Sequence, residues 1–139
     1  MYLIDTNVIS EARKQQRADA GVQAFWADTA INNTPLFLPA LVIGELRRGV
    51  DLIRHRGDLQ QAQHLERWLS EVLDLYGERV LALDADAAQL WGRLRVPDPG
   101  HALDKQIAAL ALLHDLTVVT RNTRDFAATG VRLLNPFTS

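Results

Sequence analysis

Short apolar runs with β-favouring side chains alternate along this chain with longer stretches whose apolar residues recur every three or four positions. Tyr2-Leu3-Ile4, Leu36-Phe37-Leu38, Val80-Leu81-Ala82-Leu83, Leu116-Thr117-Val118-Val119 and Val131-Arg132-Leu133-Leu134 read as strands. A first helix follows Asp5-Thr6-Asn7 and carries Val8, Ile9 and Ala12 on one face. A second is expected over Asp19–Ala30, with Val22, Phe25, Trp26 and Thr29 as its buried stripe. The third spans Ala40–His55 with Leu41, Val42, Leu46, Leu52 and Ile53 on its apolar face. Asp58 caps a long helix that ends at Tyr76, before Gly77. Its stripe is Ala62, Leu65, Trp68, Leu69, Val72, Leu73 and Tyr76. Asp84 caps another helix, bearing Ala87, Leu90, Trp91 and Leu94. The turn Pro97-Asp98-Pro99-Gly100 leads through His101 into a helix that runs to about His114. This alternation predicts a parallel sheet between helix layers, a three-layer α/β/α fold with a short central sheet. The 139 residues suit one domain over positions 1–139, with no repeat or linker.

Composition narrows the function classes. With 47% hydrophobic and 23% charged residues the chain is globular rather than disordered. A net charge of −2 does not advertise nucleic-acid binding, so such a partner would need local basic patches. The absence of cysteine excludes disulfides and thiolate metal sites. No apolar run approaches the roughly 18 residues of a membrane span, and the N-terminus lacks the basic and apolar regions of a secretory signal. A cytoplasmic location is the expectation.

Four carboxylates stand at strand ends or on apolar helix faces. Asp5 closes the first strand, where ligands of open α/β sheets bind. Glu45 lies among the apolar residues of the third helix, and Asp104 has Ile107, Ala108 and Ala111 three, four and seven positions on. Asp125 follows the polar triplet Thr120-Arg121-Asn122 that ends the fourth strand. Each has a plainer reading: Asp5 and Asp125 as helix caps, Glu45 as partner of Arg47 or Arg48, Asp104 as a first-turn acid. For Asp125 taken alone, capping is the favoured reading. Together, converging carboxylates repel, and a cation resolves the conflict. Hard oxygen ligands without cysteine suit Mg²⁺ or Mn²⁺, and the chemistry such a centre supports is phosphodiester hydrolysis. Thr6, Asn7, Thr120 and Asn122 would orient a carboxylate or water, and Arg121 would contact a phosphate. The run Arg13-Lys14-Gln15-Gln16-Arg17 reads as a solvated connection.

The ordered set Asp5-Thr6-Asn7, Glu45, Asp104 opening Ile107-Ala108-Ala109, Thr120-Arg121-Asn122-Thr123-Arg124-Asp125-Phe126 and the closing Leu134-Asn135-Pro136-Phe137 resembles a PIN domain. More narrowly, it resembles the VapC/FitB-type toxins of bacterial toxin–antitoxin pairs, over nearly the whole chain. The resemblance implies that Asp5, Glu45, Asp104 and Asp125 form an acidic metal site. It also implies Mg²⁺- or Mn²⁺-dependent endonucleolytic cleavage of RNA and a small DNA-binding antitoxin as partner. Arg47 and Arg48, with Arg54 and Arg56, would supply a basic rim for the RNA. The chain departs from the usual pattern at Lys105-Gln106, where small or apolar residues are more common. A homodimer is expected as well, from the surplus of apolar and aromatic helix faces that includes Trp26, Trp68 and Trp91.

Rival readings have specific requirements. A haloacid-dehalogenase-like phosphatase needs a second carboxylate where Asn7 stands, and a receiver domain needs an acidic pair after the first strand and a lysine after the last. Neither pattern is present. A housekeeping RNA-processing nuclease and a catalytically silent protein-binding module on the same fold remain alternatives.

Overall fold

The computed structural model describes residues 1–138. The elements in chain order are β1 (Tyr2–Ile4), α1 (Thr6–Ala12), α2 (Ala20–Ile31), β2 (Leu36–Pro39), α3 (Ala40–His55), α4 (Leu59–Tyr76), β3 (Val80–Leu81), α5 (Ala85–Leu94), α6 (Ala102–His114), β4 (Thr117–Val119), α7 (Thr123–Phe126) and β5 (Leu133–Leu134). The strands form one parallel sheet in the order β3-β2-β1-β4-β5. Tyr2 pairs with Leu36 on one side and Thr117 on the other. Right-handed crossovers in that order place α1 to α4 on one face and α5 to α7 on the other. The packing agrees: α1 touches α2 and α3, α3 touches α4, and α6 touches α5 and α7. This is the three-layer architecture expected from the alternating pattern.

Both faces of the central strands are covered, which is why Leu3, Ile4, Val118 and Val119 have no exposed surface. Phe126 from α7 and Ile107, Ala108 and Ala111 from α6 close the core on one side; Val42, Leu46, Leu69 and Val72 close it on the other. Local signals set the helix limits. The Asp58 carboxylate accepts from the Gln61 N–H at 3.1 Å at the start of α4, and Gly77, at φ 29°, stops it. Among the described residues, no helix is long and apolar enough to cross a membrane.

Several expectations need adjustment. The third and fifth strands are shorter than their apolar runs, at two residues each, and the fourth begins at Thr117 rather than Leu116. The buried stripe of α3 is Val42, Leu46 and Val50, not one that extends to Leu52 and Ile53. A four-residue repeat drifts only about 40° per turn on a 3.6-residue helix, so it tracks one face. Leu73 on α4 is 42% exposed and lies off that helix's stripe. Lys105, by contrast, is buried on α6.

The strand order also fixes where a site can form. From β1 the chain turns toward β2, and from β4 it turns the opposite way toward β5. Their connections diverge, which opens a crevice beyond the carboxyl ends of β1 and β4, the topological switch point of an open α/β sheet.

Candidate metal centre

Asp5 leaves β1 at that crevice. Its N–H donates to the Val119 carbonyl at 3.0 Å, continuing the β1–β4 ladder by one residue. Its φ of −79° and ψ of 160° are still extended, and its carboxylate accepts from the Thr6 N–H at 2.8 Å. Asp5 therefore does cap α1. The same carboxylate does more: Oδ2 accepts from the Thr120 hydroxyl at 2.8 Å and, more distantly, from Asn7 Nδ2 at 3.4 Å. Thr120 Oγ1 in turn accepts from the Asn122 N–H at 3.0 Å, and Asn7 Oδ1 accepts from the Arg121 N–H at 3.0 Å. The two polar triplets that follow β1 and β4 are thus stitched together across the crevice, and the carboxylate orientation is set from both sides.

The cleft above them has a volume of about 530 Å³ and is lined by Asp5, Thr6, Asn7, Glu45, His101, Asp104 and Asn122, with Ala102 and Leu103 at its edge. Asp104 enters from the first turn of α6 and Glu45 from the middle of α3. Asp125 lies beside Asp104: His101, Asp104 and Asp125 each bring a ligand atom within 4.8 Å of the others. So the structure brings all four acids to one end of the sheet.

Two expectations change here. Glu45 is not on the buried face of α3. It is exposed, one position short of buried Leu46, and reaches the cleft from the shoulder of the helix. Nor is Asp125 a helix cap. It is the third residue of α7, whose N-cap position is Asn122, and no side chain caps that helix. Its own N–H bonds to the Asn122 carbonyl at 3.0 Å, which leaves its carboxylate for the cluster.

The electrostatics record the crowding. Burial raises the Asp5 carboxyl above its ordinary 3.8 even though Thr120, Thr6 and Asn7 favour its ionised form, and the Asp125 charge raises it further. Desolvation likewise raises Asp104, followed by the charges of Asp5 and Asp125. Glu45 is raised by desolvation, against the pull of the Thr6 hydroxyl, and then by Asp5 and Asp104. The Thr6 hydroxyl lies near Glu45 without reaching hydrogen-bonding geometry, and among the described residues Thr6 Oγ1 is buried with no hydrogen-bond partner. Carboxylates that disfavour their own ionisation, next to a polar atom left unsatisfied, are what a divalent cation with its water shell would relieve. The donor set fits such an ion.

The basic rim is smaller than the arginine count suggests. Arg47 points at α4, where it makes a two-pronged pair with Glu66 at 2.6 and 2.8 Å. Arg54 joins the same network through Asp51 at 2.7 Å and Glu66 at 3.1 Å. These pairs hold Glu66 at a pKa of about 2. Arg48 is exposed and has no ion pair among the described residues. Arg121 is exposed at the end of β4, with its guanidinium 4.6 Å over the Phe137 ring. His101 was not among the residues singled out from sequence. Its one signal was its place between a Pro-Gly turn and Asp104.

Comparison with known proteins agrees with this architecture. The PIN domain family model matches residues 2–131. The chain is 37% identical to Toxin FitB of Neisseria gonorrhoeae over 142 aligned positions, covering 99% of each. It is 35% identical to VapC ribonuclease Y4jK of Sinorhizobium fredii, covering 99% of this chain and 98% of that one. Among solved structures, FitAcB from Neisseria gonorrhoeae superposes with a TM-score of 0.80 at 37% identity, over 98% of both chains. A FitAB structure bound to a DNA fragment gives 0.83 at 33% identity, over 98% of this chain and 95% of that one. Matched along its length in both sequence and fold, the chain belongs to the PIN-domain family, in the group of the FitB and VapC proteins.

Proposed function

We propose that the protein is a Mg²⁺- or Mn²⁺-dependent endoribonuclease that acts in the cytoplasm as the toxin of a toxin–antitoxin pair. The observation that carries this reading is the cleft itself. Asp5, Glu45 and Asp104 line it together, each with its pKa raised by loss of solvation and by its acidic neighbours. Such a set is costly without a cation and productive with one. The relatives' names point the same way, since one is called a VapC ribonuclease and another a toxin.

Asp5, Glu45, Asp104 and Asp125 would hold the ion, which supplies water activation and charge neutralisation at a phosphodiester. The remaining work falls to the chain's own side chains. Thr120 and Asn7 keep the Asp5 carboxylate from rotating, so that its face toward the cleft is preset. Asn7 also ties down the Arg121 backbone at the end of β4, from where its guanidinium would reach a phosphate. Arg48 offers a second cation on the α3 side, whereas Arg47 is committed to Glu66 and contributes less to the RNA. A small DNA-binding antitoxin would block this cleft, and apolar side chains that remain exposed, such as Leu112 and Leu113, suit a homodimer.

The test is cleavage of RNA by purified protein with Mg²⁺ or Mn²⁺, with excess EDTA, and by Asp104→Asn. Cleavage should require the ion and disappear in the variant. RNA 5′ ends mapped after brief induction in a bacterial host should then show discrete new termini. Cleavage that persists unchanged in EDTA would refute the mechanism.

A further inference from the structure

His101 is placed with more care than a surface histidine needs. It occupies the N-cap position of α6 with φ 52° and ψ 44°, a left-handed conformation that is unfavourable for a non-glycine residue. It makes no capping hydrogen bond from its side chain. The strain is therefore not offset by the usual benefit of that position.

The surrounding loop is built to hold this geometry. Lys105 is only 5% exposed, and its ammonium donates to the Asp98 carbonyl at 2.6 Å. Burying an ammonium is costly unless it is paired, so this bond is a committed one. Asp98 Oδ1 accepts from the Gly100 N–H at 2.8 Å, and Trp91 Nε1 donates to the Ala102 carbonyl at 2.8 Å. The His101 carbonyl accepts from the Lys105 N–H at 2.9 Å. Residues on both sides of His101 are pinned, and the ring is directed toward the acids, with Nδ1 3.8 Å from Asp104 Oδ2. Its ligand atom lies within 4.8 Å of those of both Asp104 and Asp125.

We propose that His101 gives the acidic centre a nitrogen ligand and thereby biases it toward Mn²⁺ over Mg²⁺. This rests on the reading of the cleft as a metal centre. Magnesium demands hard oxygen ligands and near-ideal octahedral geometry, whereas manganese also takes carboxylates but, as a transition ion, accepts an imidazole nitrogen more readily than magnesium does. An oxygen-only cluster would leave the two ions closely matched. A pinned imidazole at its edge favours the ion that accepts nitrogen. Lys105 is then a positioning residue: it fixes the loop that presents the ring, and this accounts for an uncommon lysine beside Asp104.

The experiment uses Mn²⁺ and Mg²⁺ alone as probes, with titration calorimetry and pulsed electron paramagnetic resonance of the Mn²⁺-loaded protein. Wild type should show nitrogen modulation from a directly bound imidazole. His101→Ala should lose that signal and weaken Mn²⁺ by about tenfold, with Mg²⁺ changed less than about twofold. His101→Asn should behave alike in the spectrum; asparagine tolerates the left-handed backbone, so its loss of signal cannot be ascribed to a collapsed loop. Bound Mn²⁺ without nitrogen modulation, or an equal loss of both ions in His101→Ala, overturns this inference and leaves the acidic centre standing. Failure of wild type to bind either ion overturns the metal-centre reading, and this inference with it.

Discussion

Asp5→Asn should stabilise the metal-free protein and abolish its stabilisation by metal. The side chain is 5% exposed. Its carboxylate receives two good hydrogen bonds, from the Thr6 N–H and the Thr120 hydroxyl, both at 2.8 Å. Charge-assisted bonds of this kind favour ionisation, yet the pKa is raised, so desolvation outweighs them. Each unit of upward displacement costs the folded state about 1.4 kcal/mol once the group is ionised. Asparagine keeps the bond from Thr6 and removes the charge, at the expense of the Thr120 donation. The net change should therefore appear as a higher Tm in the absence of metal. With Mn²⁺ at a hundred times its Kd, wild type should gain about 2.7 kcal/mol, and the variant almost nothing. The two proteins should therefore exchange rank between EDTA and Mn²⁺ in a thermal melt followed by circular dichroism. If Asp5→Asn melts several degrees below wild type in EDTA, Asp5 is mainly a cap and the idea of a strained acidic centre is wrong.

Other perturbations test neighbouring parts. Asp5, Glu45 and Asp104 have raised pKa values, so between their ordinary and raised values the folded state binds more protons than the unfolded chain. Metal-free stability should consequently fall as pH rises through that window, with the penalty fully present above it; saturating Mn²⁺ should reverse the slope, as the ionised forms are the ligands. Chemical denaturation across pH, compared with Asp104→Asn, reads the difference. Thr120→Val is nearly isosteric but leaves Asp5 Oδ2 without its hydroxyl donor and the Asn122 N–H without its acceptor, and should cost about 1–3 kcal/mol by urea unfolding along with most RNA cleavage. Gly21→Ala would drive a methyl group into the Pro136 carbonyl and to 2.8 Å from Thr138 Cγ2. It should lower the urea midpoint by the equivalent of about 1–3 kcal/mol while leaving metal affinity intact.

What could be read from the chain before its structure follows from the range of each interaction. The limits of α3 and α4 were legible because caps and periodicity are local, and so was the strand that ends on Asp5. The lengths of β3 and β5 were not, since strand ends depend on where a partner stops: Leu38 and Pro39 offer β3 only two positions to pair with. The four acids could be nominated from their places at strand ends and on helices. Their individual settings could not. Glu45 is separated from burial by a single 100° step on α3, and apolar neighbours on both sides of it in sequence blur that step. Asp125 has the appearance of a cap, but Asn122 occupies that position. The fate of Arg47 depends on Glu66, nineteen positions away on another helix, and no spacing rule reaches that far. His101 escaped notice because a left-handed residue before a helix leaves no periodic trace.

The place of β1 at the middle of the sheet has a consequence for how the molecule comes into being. Its two neighbours are β2, which begins at Leu36, and β4, which begins at Thr117. A ribosome delivers β1 and β2 early, but the other half of the sheet only after some eighty further residues have emerged. Asp5 is made more than a hundred residues ahead of the threonine that orients it and of Asp125. Throughout that interval the nascent chain holds one carboxylate of the cluster, then two with Glu45 and three with Asp104, and no cleft. Contacts so distant in sequence form slowly. The acidic cleft is therefore complete only after α6, β4 and α7 have left the exit tunnel.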